Sequence, residues 1–237
     1  MAAPCVAVVT GGAGGIGRSV LGRLKRDRFT TVSWDLRAEA EADLALVADV
    51  TDADACAAAA ERSAALGRIR ALIVNAGILG AVAPVWELPV AEIRRIIDTN
   101  LVSAFLTLRA VVPLMRANPG PDRGRIVLMS SLQAKEGTEQ AGAYAAAKAG
   151  LVALAKVLGK ELAREGILVN AITPTVVRTP MEQEISEGRR AFLHGKIPMG
   201  RFAEADEVAG MVSFLCGPDC TFSTGAVFDL SGGRATS

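Results

Sequence analysis

Residues 5–17 read Cys5-Val6-Ala7-Val8-Val9-Thr10-Gly11-Gly12-Ala13-Gly14-Gly15-Ile16-Gly17, a valine-rich run that breaks into five glycines. The β-branched run predicts a strand and the glycines a tight turn. From residue 15 to residue 26 apolar side chains return at helical spacing. The stretch therefore reads strand, turn, helix.

The same alternation continues along the chain. Further strands are predicted at 31–35, 44–48, 71–75, 125–130, 168–172 and 227–229, with helices near 15–26, 53–66, 90–115, 143–164 and 205–216. Strands alternating with helices predict a parallel sheet covered on both faces. The expected fold is α/β: a Rossmann-like, doubly wound parallel sheet of about seven strands, in a single domain spanning residues 1–237. Residues 175–200 fit the alternation poorly. They read as a substrate lid, or as a plain surface insertion, because long irregular segments in compact domains often cover binding sites.

Composition narrows the function. Hydrophobic residues make up 51% of the 237 residues and charged residues 22%, as in a globular protein. A net charge of +1 and an aromatic content of 4% argue against a nucleic-acid partner. The apolar runs look too short for a membrane span or a signal core, so no membrane partner and a cytoplasmic address are expected. Cys5, Cys56, Cys216 and Cys220 read as packing residues or free thiols, and a single histidine leaves no metal-ligand set.

The glycine turn satisfies G-x-G-x-x-G through Gly12, Gly14 and Gly17, and T-G-x-x-x-G-x-G through Gly11, Gly15 and Gly17. Such a turn lets a pyrophosphate approach the backbone and rest on free N–H groups at the start of a helix. Asp35 ends the second predicted strand, 18 residues past Gly17, where a carboxylate would accept hydrogen bonds from ribose hydroxyls. It would also repel a 2′-phosphate, so NAD is the expected cofactor and NADP the less favoured one. Arg37 could pair with such a phosphate. Asp35 could also be an ordinary strand-end cap.

Tyr144, the single tyrosine, precedes Lys148 by four residues, so the two share a helix face. A nearby cation should lower the pKa of the phenol and suit it to proton transfer. Ser131, 13 residues before Tyr144, could hydrogen-bond a substrate oxygen. Taken alone, Y-x-x-x-K on an alanine-rich helix could equally be a surface pair.

Together, residues 10–17, Asn75-Ala76-Gly77, Asn100, Ser131, Tyr144 and Lys148 resemble the short-chain dehydrogenase/reductase family over essentially the whole chain. The resemblance implies a catalytic set of Asn100, Ser131, Tyr144 and Lys148, with Asn100 holding a water in a proton relay to Lys148. It implies cofactor contacts from Gly11, Gly15, Ile16, Gly17, Asp35, Asp49, Val50, Asn75, Ala76, Gly77, Tyr144, Lys148, Pro174, Val177 and Thr179. Thr175 departs from the family, which usually has glycine there; a positive φ at that position would strain a β-branched residue.

The implied reaction is hydride transfer between nicotinamide and a secondary alcohol or ketone, with Tyr144 as general acid and base. Leu132, Gln133, Val176 and Met181 are the candidate substrate walls, and they suggest a mainly apolar small molecule. A 3-oxoacyl-thioester reductase (acyl carrier protein or CoA) is the alternative, and a non-catalytic nucleotide-sensing or scaffolding protein is the reading from another class. The family also implies a homotetramer or homodimer.

Overall fold

The computed structural model describes residues 4–38, 41–179 and 187–235. Its strands are β1 (Cys5–Thr10), β2 (Thr30–Asp35), β3 (Leu44–Val47), β4 (Arg68–Val74), β5 (Gly124–Met129), β6 (Ile167–Pro174), β7 (Val177–Arg178), β8 (Ala203–Glu204) and β9 (Val227–Leu230). Its helices are α1 (Gly15–Arg26), α2 (Ala53–Ala64), α3 (Val90–Ile97), α4 (Ser103–Arg116), α5 (Gln133–Glu136), α6 (Gly142–Leu162), α7 (Glu187–Gly195) and α8 (Ala205–Cys216). Seven strands form one sheet in the order β3-β2-β1-β4-β5-β6-β9. Every pairing in it is parallel.

The alternation of strand side chains separates the two faces. Val6 and Val8 of β1 join a core with Cys56, Ala59 and Ala60 of α2, Leu108 and Val111 of α4, and Leu151 and Leu154 of α6. Ala7 and Val9 point the other way, onto Val20, Leu21 and Leu24 of α1 and Val208 and Val212 of α8. Burying each valine and leucine among them contributes about 1.5–3 kcal/mol. Two full cores on one sheet make a single doubly wound domain. The strand order reverses between β1 and β4, and ligands of such folds bind beyond the strand ends at that switch.

All seven predicted strands of the main sheet are present. The expected helix at 90–115 is instead two α-helices joined by a π-turn at Asp98–Val102. This joined helical run, and that of α6 with the 3₁₀ turn after it, are long and apolar enough to cross a membrane by composition. Here they lie against strands β4 and β6.

The awkward stretch after β6 carries β7 and α7. Strand β7 pairs with β8 in a separate parallel ladder. Leu193 of α7, with Ile197 and Phe202 beyond it, forms a small separate core, with Val176 packed against it. His194 meets Phe202 edge to face at 5.6 Å, and Arg178 pairs with Glu204 at 3.1 Å.

Candidate active site

The glycine turn is built around a cross-strand clamp. The Thr10 hydroxyl accepts hydrogen bonds from the N–H groups of Asn75 (2.9 Å) and Ala76 (3.0 Å). The Asn75 amide nitrogen donates back to the carbonyls of Thr10 (3.0 Å) and Gly11 (3.2 Å). Residues 10 and 11 are thereby tied to the end of β4. Gly17 needs to be glycine because a Cβ there would stand 2.2 Å from the Gly11 carbonyl oxygen. At the start of α1, Gly14 offers no side-chain cap and the first turn carries no acidic residue. Uncapped N–H groups without a competing negative charge fit a pyrophosphate. Ile16 packs against the core on the α1 side.

Asp35 closes β2 beside this turn. Its carboxylate accepts from Ala13 N–H (3.0 Å) and Arg37 N–H (3.0 Å), and the Arg37 guanidinium donates to the Ala13 carbonyl (3.2 Å). The expected carboxylate is therefore at the cradle, with a cation next to it. Asp49 is turned into its own loop, accepting from the backbone N–H (2.8 Å) and hydroxyl (2.7 Å) of Thr51, while Val50 is buried in the core.

On the other side of the switch, Ser131 follows β5, and Tyr144 and Lys148 lie one turn apart on α6. Ser131 stands by the Tyr144 hydroxyl, where it favours the ionised form of the phenol. Lys148 is buried, with its Nζ 5.7 Å from the Tyr144 ring centre and donating to the Met129 carbonyl at 2.9 Å. The Ser130 hydroxyl donates to the Lys148 carbonyl at 2.7 Å, which fixes α6 against the end of β5.

The electrostatics correct one expectation. Burial pushes the Tyr144 phenol above its ordinary value, and Ser131 opposes that rise without reversing it. Burial also lowers Lys148 to about 8. The physical reason is desolvation: a phenolate and an ammonium both lose water here, and the cation that was to acidify the phenol is itself destabilised.

Asn100 sits in the π-turn, only 1% exposed. Its amide donates to the carbonyls of Ile78 (2.9 Å) and Ile96 (2.8 Å), and its carbonyl accepts from Ile78 N–H (3.2 Å). A Cβ on Gly77 would stand 2.5 Å from Asn100 Oδ1 and 3.2 Å from Lys148 Nζ, so Asn100, Gly77 and Lys148 share one wall. π-Turns of this kind recur at functional sites. The sequence alone gave no signal for this one.

Pro174 ends β6 and accepts the Leu132 N–H at 2.9 Å. Gln133 and Thr175 flank that bond, and Gln133 N–H donates to the Ser131 hydroxyl at 3.2 Å. Gln133 Oε1 and Thr175 Oγ1 are buried with no hydrogen-bond partner among the described residues. Thr175 is unstrained: the non-glycine residues with positive φ are Arg28 and Gln140 among the described residues, and Thr175 N–H donates to Leu230 at 3.1 Å. Leu132 and Val177 are buried, Val176 and Thr179 are partly exposed, and Met181 lies outside the described residues. No group of three or more metal-binding side chains occurs among the described residues.

A family model described as enoyl-(acyl carrier protein) reductase matches residues 18–235. Among curated proteins, the chain is 43% identical over 239 residues to 2-dehydro-3-deoxy-L-rhamnonate dehydrogenase (NAD(+)) of Sphingomonas sp. (strain SKA58), covering 97% of this chain and 95% of that one. It is 35% identical over 241 residues to cis-4-hydroxycyclohexanecarboxylate dehydrogenase of Sinomonas cyclohexanicum, covering 96% and 95% of the two chains. Among solved structures, the 3-ketoacyl-(acyl-carrier-protein) reductase from Brucella melitensis complexed with NADH superimposes with a TM-score of 0.90 at 28% identity, covering 97% of each chain. With the glycine cradle, the Asn75 clamp and the Ser131–Tyr144–Lys148 arrangement in one parallel sheet, these likenesses make the chain a member of the short-chain dehydrogenase/reductase family.

Proposed function

We propose that this chain is an NAD(H)-dependent oxidoreductase that interconverts a secondary alcohol and a ketone. The observation that carries this reading is Ser131 set by the Tyr144 hydroxyl beyond the end of β5, with Lys148 one helical turn away, its Nζ 5.7 Å from the Tyr144 ring centre. Gly11, Gly15, Ile16 and Gly17 would hold the pyrophosphate, Asp35 the adenosine ribose, and Lys148 the nicotinamide ribose. Asp49, Val50, Asn75, Ala76, Gly77, Pro174, Val177 and Thr179 would border the rest of the dinucleotide. When bound, the nicotinamide supplies the hydride acceptor or donor and, when oxidised, a positive charge.

The side chains manage the proton. Ser131 holds the substrate oxygen, while Tyr144 gives a proton to it in reduction and removes one in oxidation. Lys148, with Asn100 behind it, replaces the proton on Tyr144. Oxyanion-type contacts made in a dry site are worth more than the same contacts in water.

The substrate we infer is rich in oxygen rather than mainly apolar. Gln133 Oε1 and Thr175 Oγ1 lack partners among the described residues, and buried polar atoms without partners call for an explanation such as a ligand. The Sphingomonas relative, at 43% identity, is named for a deoxy sugar acid. A 3-oxoacyl thioester is the second reading, favoured by the likeness to the Brucella reductase. Residues 175–200 serve as a lid, supported by the separate core of Leu193, Ile197 and Phe202.

Exposed Val102 and Phe105, at and near the start of α4, and exposed Val157 on α6 support assembly into a homodimer or homotetramer. Free cysteines throughout support a reducing, cytoplasmic setting.

The test is a panel of 2-keto-3-deoxy sugar acids, cyclic alcohols and 3-oxoacyl thioesters, each assayed with NADH or NAD and with NADPH or NADP. Turnover of the sugar acids with NAD supports the reading; preference for thioesters with NADPH replaces it. Tyr144→Phe should remove nearly all turnover and leave NADH binding intact.

A further inference from the structure

Helix α5 is four residues long and begins two residues after Ser131. So short a helix has little stability of its own, so its position has to come from tertiary contacts. Its near end is fixed by the Leu132–Pro174 hydrogen bond. Its far end is held by ion pairs to the segment at and after the end of β9. Lys135 meets Asp229 at 3.4 Å, and Glu136 meets Arg234 through Nη2 (2.7 Å) and Nε (3.0 Å).

Both partners on that segment are themselves held. Asp229 accepts from Ser231 N–H (3.1 Å) and from the Thr173 hydroxyl (3.4 Å). The Ser231 hydroxyl accepts Ala235 N–H at 2.9 Å. The Arg234 side chain is 5% exposed, whereas an ordinary surface arginine lies largely in water. A bidentate guanidinium–carboxylate pair sets orientation as well as distance. Helix α5 in turn lies against α6, which carries Tyr144 and Lys148.

We infer that Arg234 is a positioning residue: its forked pair with Glu136 straps α5 down and so holds the Ser131 hydroxyl against Tyr144. The inference rests on the proposed roles of Ser131 and Tyr144 and goes beyond them. Arg234 touches neither side chain and lies 103 residues beyond Ser131, as their numbers give.

The experiment compares Arg234→Gln, Glu136→Gln and the charge-swapped pair Arg234→Glu with Glu136→Arg, alongside Ser131→Ala and Tyr144→Phe. Each is assayed for kcat and KM across pH, for NADH affinity and for thermal melting. Each single change should lower kcat about tenfold or more, since small displacements of reacting groups cost that much. NADH affinity should be unchanged, and the swapped pair should recover part of the loss.

A tyrosine that loses the influence of Ser131 keeps only the rise due to burial, so the oxidation limb of kcat should move to higher pH. Should a variant melt too early to assay, Arg234→Ala with added guanidinium provides the second measure, and recovery of kcat is expected. An unchanged kcat, or a fall with the pH limb unmoved and no recovery, overturns the inference. If Ser131→Ala and Tyr144→Phe keep their turnover, the functional reading itself fails. If they lose it while the Arg234 variants do not, only the strap fails.

Discussion

Asn100 and Ile78 exchange a reciprocal pair of hydrogen bonds, amide to backbone carbonyl at 2.9 Å and backbone N–H to amide oxygen at 3.2 Å. The side chain behaves as a missing strand partner for residue 78. Asn100→Ala takes away the side-chain partners of the Ile78 N–H and carbonyl in a part-buried site. A loss of about 1–3 kcal/mol in stability is expected, because a buried group stripped of its partner costs its full desolvation. Chemical denaturation checks this, and kcat should fall in parallel because the wall beside Lys148 loosens.

Lys148 predicts a stability profile. Its folded pKa of about 8 lies below its ordinary 10.5, so between those values the unfolded chain binds more protons than the folded one. Stability from this group is therefore lowest below pH 8 and rises as the pH climbs towards 10.5. The full swing is on the order of 3 kcal/mol. Lys148→Met should melt higher than the parent at pH 7, with the gap closing in alkali. A constant gap across that range would mean that the ammonium carries no burial penalty.

Asp35→Ser should move the cofactor preference towards NADP. The carboxylate now holds the Ala13 and Arg37 N–H groups and would face any 2′-phosphate with its charge. Without it, the Arg37 guanidinium is left to pair with that phosphate. The ratio of kcat/KM values for the two cofactors should shift by about tenfold or more, equivalent to about 1.4 kcal/mol. An unmodified protein that already prefers NADPH would contradict the assignment.

Phe202→Ala should act on substrate rather than cofactor. The ring is buried between Leu193 and Ile197, meets His194 edge to face, and has Val176 against the same small core. Emptying it should raise the KM for substrate several-fold while NADH affinity holds. If NADH affinity falls and substrate KM stays, residues 175–200 are part of the cofactor site and not a lid.

The sheet was legible because its strands are β-branched runs and its helices amphipathic, patterns that survive in one dimension. Cys5–Thr10 and Gly15–Arg26 carry both signals and have the ends their residues suggest. The π-turn was not legible. Residues 98–102 contain neither glycine nor proline, and the turn coincides with tertiary bonds from Asn100 to residue 78. Helix α5 was missed because four residues hold no period. The Glu136–Arg234 pair joins residues 98 apart, a separation with no motif to mark it. At the candidate site, Tyr144, Lys148 and Ser131 are drawn together as their spacing suggested. Their ionisation was misjudged, because a sequence shows which charges are neighbours but not how much water each has lost.

The stretch Asn75-Ala76-Gly77-Ile78 acts as a single bracket. Its first two residues grip the glycine turn through Thr10, and its last two meet Asn100. The proposed dinucleotide cradle and proton-handling wall would thus be bolted to one rigid spine, and neither could drift without dragging the other. Change within those four residues should degrade affinity and turnover together. The opposite rim, around Gln133 and Val176, hangs from different strands, which leaves it open to selection for new substrates while the reaction machinery stays fixed.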